Sequence, residues 1–300
     1  MMSNSKGILF AFLAALISGF SVYINKFAVA AMPQPLLLTA VKNLGVGLLI
    51  IGLLVITGKW QLVKKLTKKE IILLTAIGVI GGSLPFYLFF TGLSQVPAVN
   101  AAVIQKTLVI WVAVLALPLL KERLSRRQII AVALLFSGNL FIGGFKKFTF
   151  SPGEQMILAA TILWAIETVI AKKALKTLDP DLVTAARMGL GSAILMVAAG
   201  PHLQPLTGGQ LFWVLLTAAF LFAYVSVWYR ALKFAGATVV TGVLVAATLV
   251  TNALSANINW SQSVLIFSGA GLLLSELYWS KRQGFFCSPA VKALIFLPQW

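Results

Sequence analysis

The stretch from Leu84 to Leu124, LPFYLFFTGLSQVPAVNAAVIQKTLVIWVAVLALPLLKERL, decides the fold. It holds the end of one apolar run, a short turn around Pro97, a second apolar run and a charged patch, Lys121-Glu122-Arg123. A helix of about 20 apolar residues crosses the hydrocarbon of a bilayer, and a turn this short returns the chain straight into it. A degraded copy lies 139 positions later, where Gly92-Leu93 becomes Ala231-Leu232 and Pro97-Ala98 becomes Gly236-Ala237. Recurrence at a fixed offset marks a chain built twice from one plan.

Composition agrees. Of 300 residues, 60% are hydrophobic and 10% charged, against about 25% charged in an average globular chain. So few charges cannot cover a water-exposed surface. One cysteine, Cys287, and one histidine, His202, exclude a disulfide framework and any His/Cys metal cage. No cofactor is expected, and there is no phosphate-binding P-loop motif.

Ten apolar segments have spanning length: residues 7–27, 35–57, 71–92, 97–119, 128–145, 154–172, 181–199, 210–230, 236–256 and 261–280. Turn residues mark the short connections: Pro33, Pro35, Pro97, Pro152-Gly153, Pro180 and the stretch from Pro201 to Gly209. Lys6 and the Ala28-Val29-Ala30 stretch imitate a cleavable leader around the first segment. It is read as retained, because another spanning segment follows at once and it has a counterpart in the second half.

The net charge of +17 would point to nucleic acid in a soluble protein. Its distribution points elsewhere. With the N-terminus inside, 18 of the 24 basic residues fall on inner connections, among them Lys59, Lys64, Lys121, Arg126, Lys172 and Arg230. The outer side holds Lys146 and Lys147, with Lys26 near a helix end. This is the positive-inside pattern. It predicts a multi-pass protein of the plasma or bacterial inner membrane with both termini cytoplasmic, and no nucleic-acid partner.

A second match runs at an offset of 145: Pro35, Thr39, Ala40 and Lys42 align with Pro180, Thr184, Ala185 and Arg187. A third, at 131, pairs Phe136-Ser137-Gly138 with Phe267-Ser268-Gly269. The predicted fold class is therefore all-α integral membrane, ten transmembrane helices as two five-helix repeats. The first spans 1–150 and the second 151–280, with a cytoplasmic tail over 281–300. Five is odd, so the repeats must be inverted. Inverted repeats are the architecture of secondary transporters, whose site sits near the midplane between the halves.

These residues carry a resemblance. Tyr87, the Gly92-Leu93…Pro97-Ala98 turn, the patch Leu119-Leu120-Lys121-Glu122-Arg123-Leu124, Gly138, Trp164-Ala165 and Arg187 resemble the EamA-type branch of the drug/metabolite transporter superfamily over residues 7–280. The resemblance implies ten helices in two repeats, and export rather than uptake. The sequence departs from that pattern at Lys42, where the family usually has Arg, at Lys106, and in lacking a second acidic patch after the ninth segment.

Charges within spanning segments are costly, so they are usually paired or functional. Four qualify: Lys42, Lys106, Glu167 and Arg187. Glu167 and Arg187 lie at similar depth from one side, which predicts an ion pair. The other reading makes Glu167 a proton-binding carboxylate. Ala165-Ile166-Glu167-Thr168-Val169-Ile170 also resembles the helix bearing the essential glutamate of small multidrug resistance proteins. Lys42, beside Asn43, has no acid at its repeat-related position. It either snorkels outward or meets a substrate carboxylate. Lys106, near mid-membrane beside Gln105, either meets substrate or coupling ion or pairs with Glu167. Phe86, Tyr87, Trp111, Trp164, Tyr224, Trp228 and Tyr229 are candidates to line the pathway, although Trp and Tyr near helix ends more often anchor the membrane interface. Gly81-Gly82-Ser83-Leu84-Pro85 predicts an interrupted helix, as a hinge or a packing kink.

The expected substrate-binding or coupling set is thus Lys42, Asn43, Tyr87, Gln105, Lys106, Trp164, Glu167 and Arg187. The expected function is secondary transport of a small metabolite, an amino acid or other zwitterionic or anionic solute, by alternating access, in a monomer or homodimer. The alternatives are a proton-coupled multidrug exporter using Glu167 and, in another class, a membrane enzyme acting on lipid head groups. The enzyme would need clustered acids or an interfacial His, and the seven acidic residues are scattered. A scaffold would have no use for Lys106.

Overall fold

The structure, a computed structural model, describes residues 2–32, 34–93, 95–96, 98–140, 148–254 and 260–286. Pro33, Pro97, Lys146, Lys147, Cys287 and the tail from 287 onward lie outside these, as do the side chains of Lys26, Lys281 and Arg282. The described residues contain helices and turns and no strand. The α-helices are α1 (Met2–Ala31), α2 (Pro35–Ile56), α3 (Lys68–Ala76), α4 (Leu84–Leu93), α5 (Ala98–Lys106), α6 (Leu108–Leu119), α7 (Arg126–Leu140), α8 (Pro152–Ala174), α9 (Pro180–Ala185), α10 (Gly191–Ala199), α11 (Gly208–Phe234), α12 (Ala237–Leu244), α13 (Ala247–Leu254) and α14 (Trp260–Phe286).

Six stretches are helical, apolar and long enough to cross a membrane: Ser5–Ala31, Leu36–Ile56, Lys68–Gly92, Pro152–Ala174, Pro180–His202 and Gly208–Phe234. Shorter apolar helices cover Val103–Leu119, Ala237–Thr251 and Ser263–Ser275. Large apolar side chains point outward; Val197 is 81% exposed and Phe267 68%. In water such a surface would drive aggregation, and lipid is the solvent that suits it.

Local chemistry sets the helix ends. Pro35, Pro152 and Pro180 each occupy a first turn, where no intrahelical N–H bond is lost. Thr67 with Glu70 and Thr207 with Gln210 form reciprocal capping boxes. Gly58, at φ +70°, closes α2 in the left-handed conformation that a side chain would resist. Gly236, before α12, has no side chain to cap with, and Glu122 supplies the missing acceptor from elsewhere. Its carboxylate takes the Ala237 and Thr238 amides and the Thr238 hydroxyl. On the other side of the same turn, Lys172 Nζ donates to the Leu232 and Ala235 carbonyls. One charge of each sign therefore grips the α11–α12 turn.

The interruption expected at Gly81-Gly82 is present. α3 passes into a π-helical turn over Ile77–Gly81, and α4 restarts at Leu84. A second π turn, Ala186–Leu190, joins α9 to α10. The two turns pack on each other. A Cβ at Gly82 would collide with the Arg187 carbonyl oxygen, and one at Gly191 would meet the Gly82 backbone at 2.5 Å.

Two segments expected as continuous helices are broken instead. The 97–119 segment breaks at Thr107 between α5 and α6, and the 236–256 segment at Val245-Ala246 between α12 and α13. Short i→i+3 bonds hold both breaks: Thr107 N to Ile104 O at 3.0 Å, and Val245 N to Gly242 O at 3.1 Å. The Thr107 hydroxyl donates to Ile104 O at 2.6 Å and accepts the Trp111 indole N–H at 3.1 Å, which ties the two sides of the break together. The breaks fall at repeat-related positions, 139 apart for Thr107 and Ala246.

α1 packs along α11 and against α12 and α13, α4 and α6 pack on α8, α2 on α10 and α11, and α7 on α14. Between them lies the cavity described next.

Candidate functional site

The cavity is about 660 Å³, within the range of small-molecule sites. α1 contributes Ser21 and Asn25, α2 Lys42, α4 Phe86 and Phe89, and α5 Gln105 and Lys106. From the second half come Trp164 and Glu167 of α8, Arg187 of the π turn, Tyr224 and Trp228 of α11 and Val245 at the α12–α13 break. Both broken helices thus present their interruptions to this space. The aromatic wall is tightly packed: Phe86 lies edge to face on the Trp164 ring at 5.4 Å, and Phe89 lies tilted against it at 5.5 Å.

On the deep wall Glu167 and Arg187 are buried, 1% and 7% exposed. Their charged groups approach to 3.7 Å, as the matched depths predict. Tyr229, fully buried, donates its hydroxyl to Glu167 Oε1 at 2.6 Å and accepts from Arg187 Nη1 at 3.4 Å. Arg187 Nε and the Trp164 indole N–H both donate to the Gly81 carbonyl, at 3.3 and 3.2 Å. The π turn at Ile77–Gly81 therefore aims a backbone oxygen at two cavity-lining donors. A π turn frees carbonyls from the regular ladder, and a glycine at 81 lets Glu167 pack directly against the backbone.

Lys42 is 5% exposed and does not snorkel; its ammonium donates to Asn25 Oδ1 at 3.3 Å. Asn25 is in turn held by Ser21, its amide donating to the Ser21 carbonyl at 2.8 Å. Lys106, at the C-terminal end of α5, is not paired with Glu167, whose charge is taken by Arg187; among the described residues it has no hydrogen-bond or ion-pair partner.

The structure brings together Lys42, Gln105, Lys106, Trp164, Glu167 and Arg187 from the expected set. Tyr87 lies away from the cavity on the outer face of α4, 45% exposed, because it follows Phe86 by about 100° around the helix. Asn43 is buried outside the cavity lining, its amide unpartnered among the described residues. Asn25 is a site residue that the sequence reading leaves out; its signal is a polar residue in the C-terminal half of α1, in the span that precedes the one carrying Lys42. Tyr229 was weighed only as a wall aromatic, and it serves as the clasp on the ion pair. Trp111, also weighed as a wall residue, is tied to Thr107.

At one end of the bundle charges link three segments of the chain. Lys59 Nζ lies 3.1 Å from Asp179 and 2.6 Å from Asp181, and Arg230 reaches Asp181 at 2.7 Å. Partial burial by itself lowers the Lys59 ammonium, but Asp181 and Asp179 outweigh it and hold the group above its ordinary value. For Asp179 burial acts upward, and the Asp181 amide together with Lys59 overrides it, leaving the carboxyl below its ordinary value. The cavity runs the other way, from Trp228 and Thr241 toward Val29, Phe90 and Val96.

An all-helical chain with lipid-facing apolar surfaces and a charged cavity at its centre is a polytopic membrane transporter in architecture. A family model described as the EamA-like transporter family matches twice, over residues 5–144 and 151–277, and the chain belongs to that family. It is similar to YyaM of Bacillus subtilis (strain 168), described as an uncharacterized transporter. The two are 28% identical over 134 residues, 43% of each chain. It is 29% identical to an uncharacterized transporter of Archaeoglobus fulgidus over 177 residues, 55% of this chain and 60% of that one. The chain thus spans about half the length of the curated relatives it matches. A solved crystal structure shares the fold, with a TM-score of 0.74 at 18% identity over 90% of this chain and 96% of that one.

Proposed function

We propose that the protein is a secondary transporter that moves a small metabolite through the central cavity by alternating access. In this reading ten spans form two inverted five-helix repeats, residues 1–150 and 151–280, and both termini are cytoplasmic in a plasma or bacterial inner membrane. Export is the direction favoured by family resemblance, and zwitterionic or anionic solutes, amino acids among them, are the cargo favoured by the lysines. The observation that carries the reading is the cavity itself, walled by both halves and meeting a broken helix from each.

The tied end, with Lys59, Asp179, Asp181 and Arg230, is the end that positive-inside counting assigns to the cytoplasm. In this reading the ion pairs hold the cytoplasmic end closed, and transport requires them to part. A second reading, proton coupling through Glu167 as in a multidrug exporter, is favoured by that carboxylate's place on the cavity wall.

Uptake into proteoliposomes across a panel of amino acids, organic acids and cationic drugs, with and without an imposed pH gradient, tests both. Saturable flux of a zwitterion or anion is expected. Flux of cationic drugs alone, driven by the pH gradient and lost in Glu167→Gln, would establish the second reading instead. No flux of any solute would overturn transport.

A further inference from the structure

Resting on the transporter reading, we infer that the cavity is selective for a dianion, a dicarboxylate or phosphate ester, over zwitterions and monoanions. The basis is a charge count that the structure makes possible. The charged residues of the wall are Lys42, Lys106, Arg187 and Glu167. Arg187 and Glu167 neutralise each other at 3.7 Å, and the Tyr229 hydroxyl completes the carboxylate's shell at 2.6 Å. The surplus offered to a solute is therefore two positive charges.

Among the described side chains no acid is at hand to cancel them. The chain has seven acidic residues. Among the described side chains Glu70 is held by Thr67 and Thr177, and Glu122 caps α12. Glu154 takes Asn100 and the amides of Thr149 and Phe150, and Asp179 and Asp181 hold Lys59 and Arg230. None of them reaches Lys42 or Lys106. Among the described residues Lys42 has only the neutral Asn25 acceptor for its three N–H donors, and Lys106 has none. An ammonium held inside a membrane protein needs a counter-charge, and a substrate can supply it. A zwitterion brings its own ammonium to a wall already carrying two. A monoanion leaves one lysine uncompensated, and a dianion leaves neither.

The test uses the purified full-length chain and four probes of similar size: succinate, glycerol phosphate, butyrate and 4-aminobutyrate. Ligand-induced thermal shift reads binding, and counterflow in proteoliposomes reads transport. Succinate or glycerol phosphate is expected to bind about tenfold or more tighter than butyrate or 4-aminobutyrate, and which of the two binds separates carboxylate from phosphate recognition. Lys42→Gln and Lys106→Gln are each expected to weaken the dianion about tenfold, with Lys42→Arg and Lys106→Arg, which keep the charge, retaining most of the binding as folding controls. Equal or tighter binding of 4-aminobutyrate, lysine variants that bind the dianion as wild type does, or binding of none of the four would overturn the inference. Lysine-dependent dianion binding without flux would keep the site and overturn transport. Lysine-independent flux of 4-aminobutyrate would do the reverse.

Discussion

Arg187 and Glu167 show what a buried ion pair demands of its neighbours. Alone, their contact at 3.7 Å is loose; the Tyr229 hydroxyl and the Gly81 carbonyl make it a closed network. Removing one partner leaves an uncompensated charge, which typically costs about 3–5 kcal/mol. Arg187→Met is therefore expected to lower the thermal midpoint in detergent sharply, and the double variant Arg187→Met/Glu167→Gln to recover much of the loss. Equal midpoints for the single variant and wild type would show that the pair does not hold the fold. Sequence disclosed these two residues because charge in an apolar segment stands out and helical rise fixes its depth. It did not disclose Asn25 or the clasping role of Tyr229, since a polar or aromatic residue on an apolar helix has many possible neighbours. Tyr87 shows the opposite limit: a motif position fixes a residue's place along the chain but not the direction it faces.

At the scale of elements, the charged patch after α6 has a concrete task. Glu122 caps α12 from outside its own helix. Loss of a cap costs about 0.5–2 kcal/mol, so Glu122→Ala is expected to speed hydrogen exchange at the Ala237 and Thr238 amides while leaving exchange in α8 unchanged. No change at those amides would contradict the cap. The π-turn crossing is the second test. Gly82→Ala puts a methyl group against the Arg187 carbonyl, and overpacking of this kind costs about 1–3 kcal/mol, to be read as a lowered thermal midpoint. The interruption at Gly81-Gly82 was legible because glycine pairs and Pro85 are residues that interrupt helices; the second π turn, Ala186–Leu190, and its crossing with the first were not. Nor were the breaks at Thr107 and Val245-Ala246. Neither carries glycine or proline, and a polar run such as Gln105-Lys106-Thr107 reads as site residues rather than as a break, so only the i→i+3 bonds and the Thr107 hydroxyl reveal them.

For the molecule as a whole, apolar segments, short connections and basic asymmetry made the membrane class legible, because bilayer thickness constrains every span, and the family came from its resemblance at motif residues such as the Pro97-Ala98 turn and the Lys121-Glu122-Arg123 patch. The ion-paired end was not legible, since Lys59 counted only as a topology signal. Its pH dependence follows from the shifts there. Asp179 lies below its ordinary value when folded, so its contribution is complete above about pH 4 and fades as pH falls through the folded value. Lys59 lies above its ordinary value, so its contribution is complete below about pH 10 and fades on further rise. The stability difference between wild type and Lys59→Met is therefore expected to stay flat from about pH 5 to 9 and shrink in acid. A difference that grows in acid would contradict the assignment.

The claim beneath all of this is that the cavity is the route across the membrane. A single cysteine in place of Leu221 on the cavity wall, in a Cys287→Ser background, tests it in proteoliposomes. A membrane-impermeant maleimide is expected to label that cysteine from the side away from Lys59 and Asp179, to be slowed by transported solute, and to bring flux to background. Full labelling with undiminished flux would contradict it.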